Sequence, residues 1–123
     1  MLIHVRFDSG IAILSNLARS VNDPRYFDAG QEVRDLLSQG YRSFVIELGG
    51  VDNPGSPLLS LLMTITRQVR KERGEIVLVG RSREMEKFLE EMGMDEYWDV
   101  FRSVAEAKQY LSGQVNTDAH DDV

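Results

Sequence analysis

The chain has 123 residues, 42% hydrophobic and 28% charged, an ordinary globular balance in a length that suits one core, which excludes a disordered or fibrous protein. Fourteen Lys and Arg against twenty Asp and Glu give a formal net charge of −6. The basic residues cluster only briefly, at Arg67, Arg70, Lys71 and Arg73, which argues against a nucleic-acid partner; the absence of cysteine excludes disulfides and zinc–thiolate centres.

Leu2, Ile3, Val5 and Phe7, then Ile11 to Leu14 after Asp8-Ser9-Gly10, predict two strands joined by a tight turn, an N-terminal β-hairpin. Ser20, Asn22, Asp23 and Pro24 mark a loop over Arg19 to Arg25. Phe27, Val33, Leu36 and Leu37 recur near helical spacing before Gly40, predicting a helix of about three turns. Phe44 to Leu48, ending in Gly49-Gly50, reads as a buried strand.

Ser56-Pro57 opens the next helix: a Ser hydroxyl serves as N-cap and Pro tolerates the first helical position. That helix should run to about Arg73, with Gly74 as its stop. Glu75 to Gly80 is a second buried strand, and Ser82 opens a helix carrying Met85, Phe88, Leu89 and Met92 at i, i+3, i+4 and i+7. Tyr97 to Phe101 forms a short edge strand, with Trp98 read as part of an aromatic packing cluster. Ser103 and Glu106 make a capping box for a last helix ending near Ser112. Residues 112–123, with Asp118, Asp121 and Asp122 and no Lys or Arg, are expected to form a disordered acidic tail.

Strands alternating with helices imply an α/β domain over residues 1–111, with a mixed, mostly parallel sheet of about five strands and about four helices. The start of the chain lacks the pattern of a signal peptide, and Leu58 to Ile65 is too short to span a bilayer, so a cytoplasmic protein away from membranes is expected.

The segment Phe44-Val45-Ile46-Glu47-Leu48-Gly49-Gly50-Val51-Asp52, the Ser that opens a Leu-rich helix, the strand Glu75 to Gly80, and Ser82 to Leu89 followed by Met92-Gly93-Met94 resemble the STAS domain, the family of bacterial anti-sigma factor antagonists. The likeness spans roughly Ile3 to Leu111. It implies a non-enzymatic signalling protein that binds an anti-sigma factor of the histidine-kinase-like ATPase type, also a serine kinase. In that family the loop before the second helix reads Asp-Ser-Ser-Gly or Asp-Ser-Thr-Gly and its first Ser is phosphorylated. Here the corresponding residues are Gly55, Ser56, Pro57 and Leu58, so only the serine is kept.

Ser56 is thus the phosphorylation candidate, with a simple helix cap as the other reading. Asp52, Asn53, Gly55, Ser56, Leu59, Ser60 and Met63 are the candidate partner-binding residues. Leu59 and Met63 fall off the inward stripe of Leu58, Leu62, Ile65 and Val69, as a docking patch or as a helix sunk deeper into the core. A constitutive scaffold, or an assembly subunit of a signalling complex or transporter ATPase, is the alternative function. Oligomeric state is left open, a homodimer included.

No catalytic set is visible. His4 and His120 are far apart in sequence, Glu86 and Glu90 read as solvated carboxylates on one helix face, and Gly49, Gly50 and Gly55 make no phosphate-cradling motif. Neither a cofactor nor a metal is expected.

Overall fold

The computed structural model describes residues 3–17, 28–49, 51, 54–80 and 82–121, the side chains of residues 28 and 114–121 apart. The loop expected over Arg19 to Arg25, and Phe27, lie outside the described residues. Strand β1 (His4–Asp8) pairs antiparallel with β2 (Ile11–Ser15), Asp8 opposite Ile11. The two residues between them, Ser9 and Gly10, have φ of 54° and 80°, the left-handed pair that a two-residue hairpin turn requires.

Helix α1 (Asp28–Ser38) leads to β3 (Ser43–Glu47), α2 (Ser56–Lys71) to β4 (Glu75–Val79), and α3 (Arg83–Glu91) to β5 (Val100–Phe101). Strand order in the sheet is the chain order, β1-β2-β3-β4-β5, and every pairing after the hairpin is parallel. This is the mixed, mostly parallel sheet that the alternating pattern implies, with four helices among the described residues.

Each inner strand is apolar on both sides because helices cover both. Ala12, Leu14, Phe44, Ile46, Ile76 and Leu78 face a core shared with α1, α2 and α3, in which Val33, Leu62, Ile65, Val69, Met85 and Leu89 are buried. Ile11, Ile13, Val45, Val77 and Val79 face the other way, against Ala107 and Leu111 of α4 (Val104–Asp121). Burying one such side chain contributes about 1.5–3 kcal/mol, so this two-sided packing is what orients the loops at both ends of the sheet.

Two boundaries differ from the sequence reading. The last strand is only Val100–Phe101, because Trp98 turns into the core at 4% exposure instead of extending the edge. Its indole N–H donates to Thr66 Oγ1 at 2.8 Å, and the Thr66 hydroxyl donates to the Leu62 carbonyl at 2.6 Å. The last helix does not stop near Ser112: its backbone continues to Asp121. Gly113 lies inside it with open space around its Cβ position, and no proline follows to break it.

At the end of α2, Arg73 takes φ of 64° and Gly74 comes so near β3 that a Cβ there would stand 2.7 Å from the Arg42 carbonyl oxygen. That carbonyl accepts from the Glu75 amide at 2.7 Å, so the absent side chain lets β4 enter the sheet beside β3.

Candidate functional site

Parallel strands deliver their following loops to one edge of the sheet, and the loops after β3 and β4 meet there. The Leu48 amide donates to the Val79 carbonyl at 2.9 Å and the Val51 amide to the Leu48 carbonyl at 3.2 Å. Gly49 and Gly80 pass backbone to backbone, a Cβ on Gly49 falling 3.5 Å from the Gly80 carbonyl oxygen. Ser82 then ties the two loops together, its hydroxyl donating to the Val51 carbonyl at 2.6 Å while accepting from the Met85 amide at 3.1 Å. One side chain therefore caps α3 and pins the segment that leads into α2.

Ser56 stands exposed at the start of α2, with Pro57 beside it. It is not the N-cap expected from the sequence. Gly55 holds that position in extended backbone, φ −159° and ψ 177°, with no side-chain cap, and its carbonyl accepts from the Leu59 amide at 3.1 Å. The helix begins one residue earlier because Pro is tolerated anywhere in the first turn, where amides lack intrahelical partners. The Ser56 hydroxyl is left unused by the cap, and the first turn of α2 contains no acidic residue.

Residues 56, 59, 60 and 63 share one face of a helix with 3.6 residues per turn. Ser56 and Ser60 are exposed, whereas Leu59 and Met63 are half-buried and pack against the core. Both readings of the two apolar residues are thus partly met, each side chain having one side in the core and one at the surface. The same face continues to Arg70, whose guanidinium lies 4.7 Å from the Tyr97 ring centroid and donates to the Tyr97 carbonyl at 3.0 Å. Arg70 is therefore anchored. Asp52 and Asn53, the other two proposed binding residues, and Gly50 lie outside the described residues.

Sequence reasoning reached the Ser82 cap but missed its bond to Val51, 31 residues away. Glu86 and Glu90 are exposed on α3 and His4 is exposed on β1. Among the described residues no three His, Cys, Asp or Glu side chains are grouped to hold a metal ion, and no helix is long and apolar enough to cross a membrane.

The architecture is that of a small α/β domain whose exposed loops and second helix, at one sheet edge, present side chains outward. A family model for the STAS domain matches residues 8–107, and the chain belongs to that family. Three solved structures share the fold. An anti-sigma-factor antagonist (STAS) domain protein from Planctomyces limnophilus is 18% identical with a TM-score of 0.73, covering 89% of this chain and 97% of its own. A candidate anti-sigma factor antagonist from Thermotoga maritima is 17% identical with a TM-score of 0.73, over 89% and 94% of the two chains. An anti-sigma factor antagonist from Mycobacterium paratuberculosis is 18% identical with a TM-score of 0.67, over 89% and 92%. At these identities the likeness carries the fold. No curated protein matches this chain.

Proposed function

We propose that this chain is a cytoplasmic, non-enzymatic signalling protein of the anti-sigma factor antagonist kind. Its partner is an anti-sigma factor that is also a serine kinase, bound through the loop before α2 and the face of Ser56, Leu59, Ser60 and Met63, and released when Ser56 is phosphorylated. The observation that carries this reading is the exposed Ser56 hydroxyl, unused in capping, at the head of a half-apolar helix face.

A phosphoryl group on Ser56 stays at the positive end of the helix dipole, which favours it by about 0.3–1 kcal/mol, so the fold is retained. The added charge of about −1.5 to −2 falls on the surface that has to be desolvated for docking, and the partner is lost. Intact-mass analysis after incubation with ATP and a co-purifying serine kinase tests the idea. One added phosphate that disappears in Ser56→Ala supports it. No phosphate, with a stable complex still recovered, favours a constitutive scaffold or an assembly subunit of a signalling complex or transporter ATPase. Pro57 directly after the serine is the observation on that side.

A further inference from the structure

At the far end of α2 from Ser56, about 24 Å away along a 16-residue helix, a recess of about 490 Å³ opens between the ends of α1 and α2. Arg34, Leu37, Arg42, Gln68, Lys71 and Glu72 line it, three cations against one carboxylate in a chain whose formal net charge is −6. Acidic residues do not neutralise these cations: among the described residues the ion pairs are Arg6–Glu47 and Lys108–Asp8, on the opposite face of the sheet.

The guanidinium groups are nonetheless held in place by neutral acceptors. Arg34 Nη2 and Nε donate to Gln31 Oε1 at 2.8 and 3.3 Å, and Arg42 Nη1 donates to the Leu37 and Tyr41 carbonyls at 2.9 and 2.8 Å. The recess lies at the negative ends of both helix dipoles, which the three cations offset, and several of the terminal carbonyls are hydrogen-bonded. Those of Asp35, Leu36 and Leu37 accept from Gln39, Gly40 and Tyr41, and those of Val69 and Arg70 from Glu72, Arg73 and Gly74. Gln68 also lines the recess, while its Oε1 is buried beside Gly30 of α1 without a hydrogen-bond partner.

We propose that this recess is a binding site for a small polyvalent oxyanion carrying phosphate or carboxylate groups. Arg34 and Arg42 offer planar donor forks and Lys71 a mobile point charge, and Leu37 supplies an apolar wall. A recess of this size matches a small-molecule site. The site is independent of the Ser56 reading.

Isothermal titration with inorganic pyrophosphate and, separately, with citrate tests it on wild type, Arg34→Gln, Lys71→Gln and the control Arg83→Gln, an exposed cation on α3. Saturable one-to-one binding is expected, weakened about tenfold in each recess variant through the loss of one charge-assisted contact and unchanged in the control. Preference for pyrophosphate identifies a phosphate ligand and preference for citrate a carboxylate one. Amide shifts on wild type map the contact without relying on any variant, and are expected at residues 37–42 and 68–72. Binding of neither anion, shifts elsewhere, or equal weakening by Arg83→Gln would overturn the proposal.

Discussion

The Lys108 ammonium donates to Asp8 Oδ2 at 2.9 Å, joining the last helix to the first strand. By strand alternation Arg6, Asp8 and Glu47 share a face with Ile11 and Ile13, and Arg6 meets Glu47 at 2.7 Å. Helix α4 packs on β3, β4 and β5 and shares a buried cluster with Ile11 and Ile13 of the hairpin, which are only 4% and 2% exposed. The Lys108–Asp8 pair fastens that helix to the hairpin beside this cluster.

Asp8 should therefore make stability depend on acid. The Lys108 ammonium, then the Ser9 hydroxyl, hold its carboxyl below the ordinary value of 3.8. A carboxyl depressed in the folded state stabilises above its unfolded value, and that contribution is lost as pH falls through the folded one. Melting curves of wild type and Asp8→Asn should differ at neutral pH and converge below about pH 4. A gap that stays constant into strong acid would assign the difference to something other than this ion pair.

Thr66 and Trp98 should be energetically coupled. Thr66→Val leaves the buried indole N–H without its acceptor, a loss of about 1–3 kcal/mol. Combined with Trp98→Phe, the double-mutant cycle should return a coupling of about 0.5–3 kcal/mol in urea unfolding. Additive effects would mean that the 2.8 Å contact contributes only packing.

Ser82 can be dissected by choosing what replaces it. Asp is an equally good N-cap but, ionised, cannot donate to the Val51 carbonyl, whereas Thr retains both bonds. Hydrogen exchange at Leu48 and Val51 should quicken in Ser82→Asp and stay near wild type in Ser82→Thr, with α3 protected in both. Wild-type exchange in the Asp variant would show that the loop is fixed without Ser82.

Gly74→Ala should destabilise by about 1–3 kcal/mol, the usual range for forcing atoms into a filled space, since the new methyl meets backbone 2.7 Å away. Chemical denaturation measures this directly, with an unchanged m-value expected.

For the proposed switch, Ser56→Asp should weaken partner binding and Ser56→Ala preserve it, while Leu59→Lys with Met63→Lys should weaken the complex whether or not Ser56 is modified. Pull-downs with a co-purifying serine kinase distinguish these outcomes, and equal affinity of the two Ser56 variants would exclude charge at Ser56 as the control.

Most of the fold was legible because the informative signals are local. The apolar runs of β3 and β4, the Ser9-Gly10 turn, and the caps at Ser82 and Ser103 depend on neighbours a few residues away. The errors arose where two local solutions are equally allowed. Pro57 suits the first or second helical position, which moved the cap from Ser56 to Gly55, and Gly113 resembles a stop although nothing forces the helix to end there. The contacts that organise the site, Ser82 with Val51 and Trp98 with Thr66, join residues 31 and 32 apart and follow no spacing rule.

Because neighbouring strands in the sheet are also neighbours in the chain, no strand has to be inserted between two that are already paired. Closing short loops costs less entropy than closing long ones, so assembly can spread outward from the hairpin one β-α unit at a time. Such low-separation topologies fold faster than interleaved ones of equal size. Each parallel partner nonetheless lies a whole crossover away, Ile11 opposite Ser43 and Ser43 opposite Glu75, so the unpaired edge left before each crossover closes is where a new copy of this chain is open to aggregation.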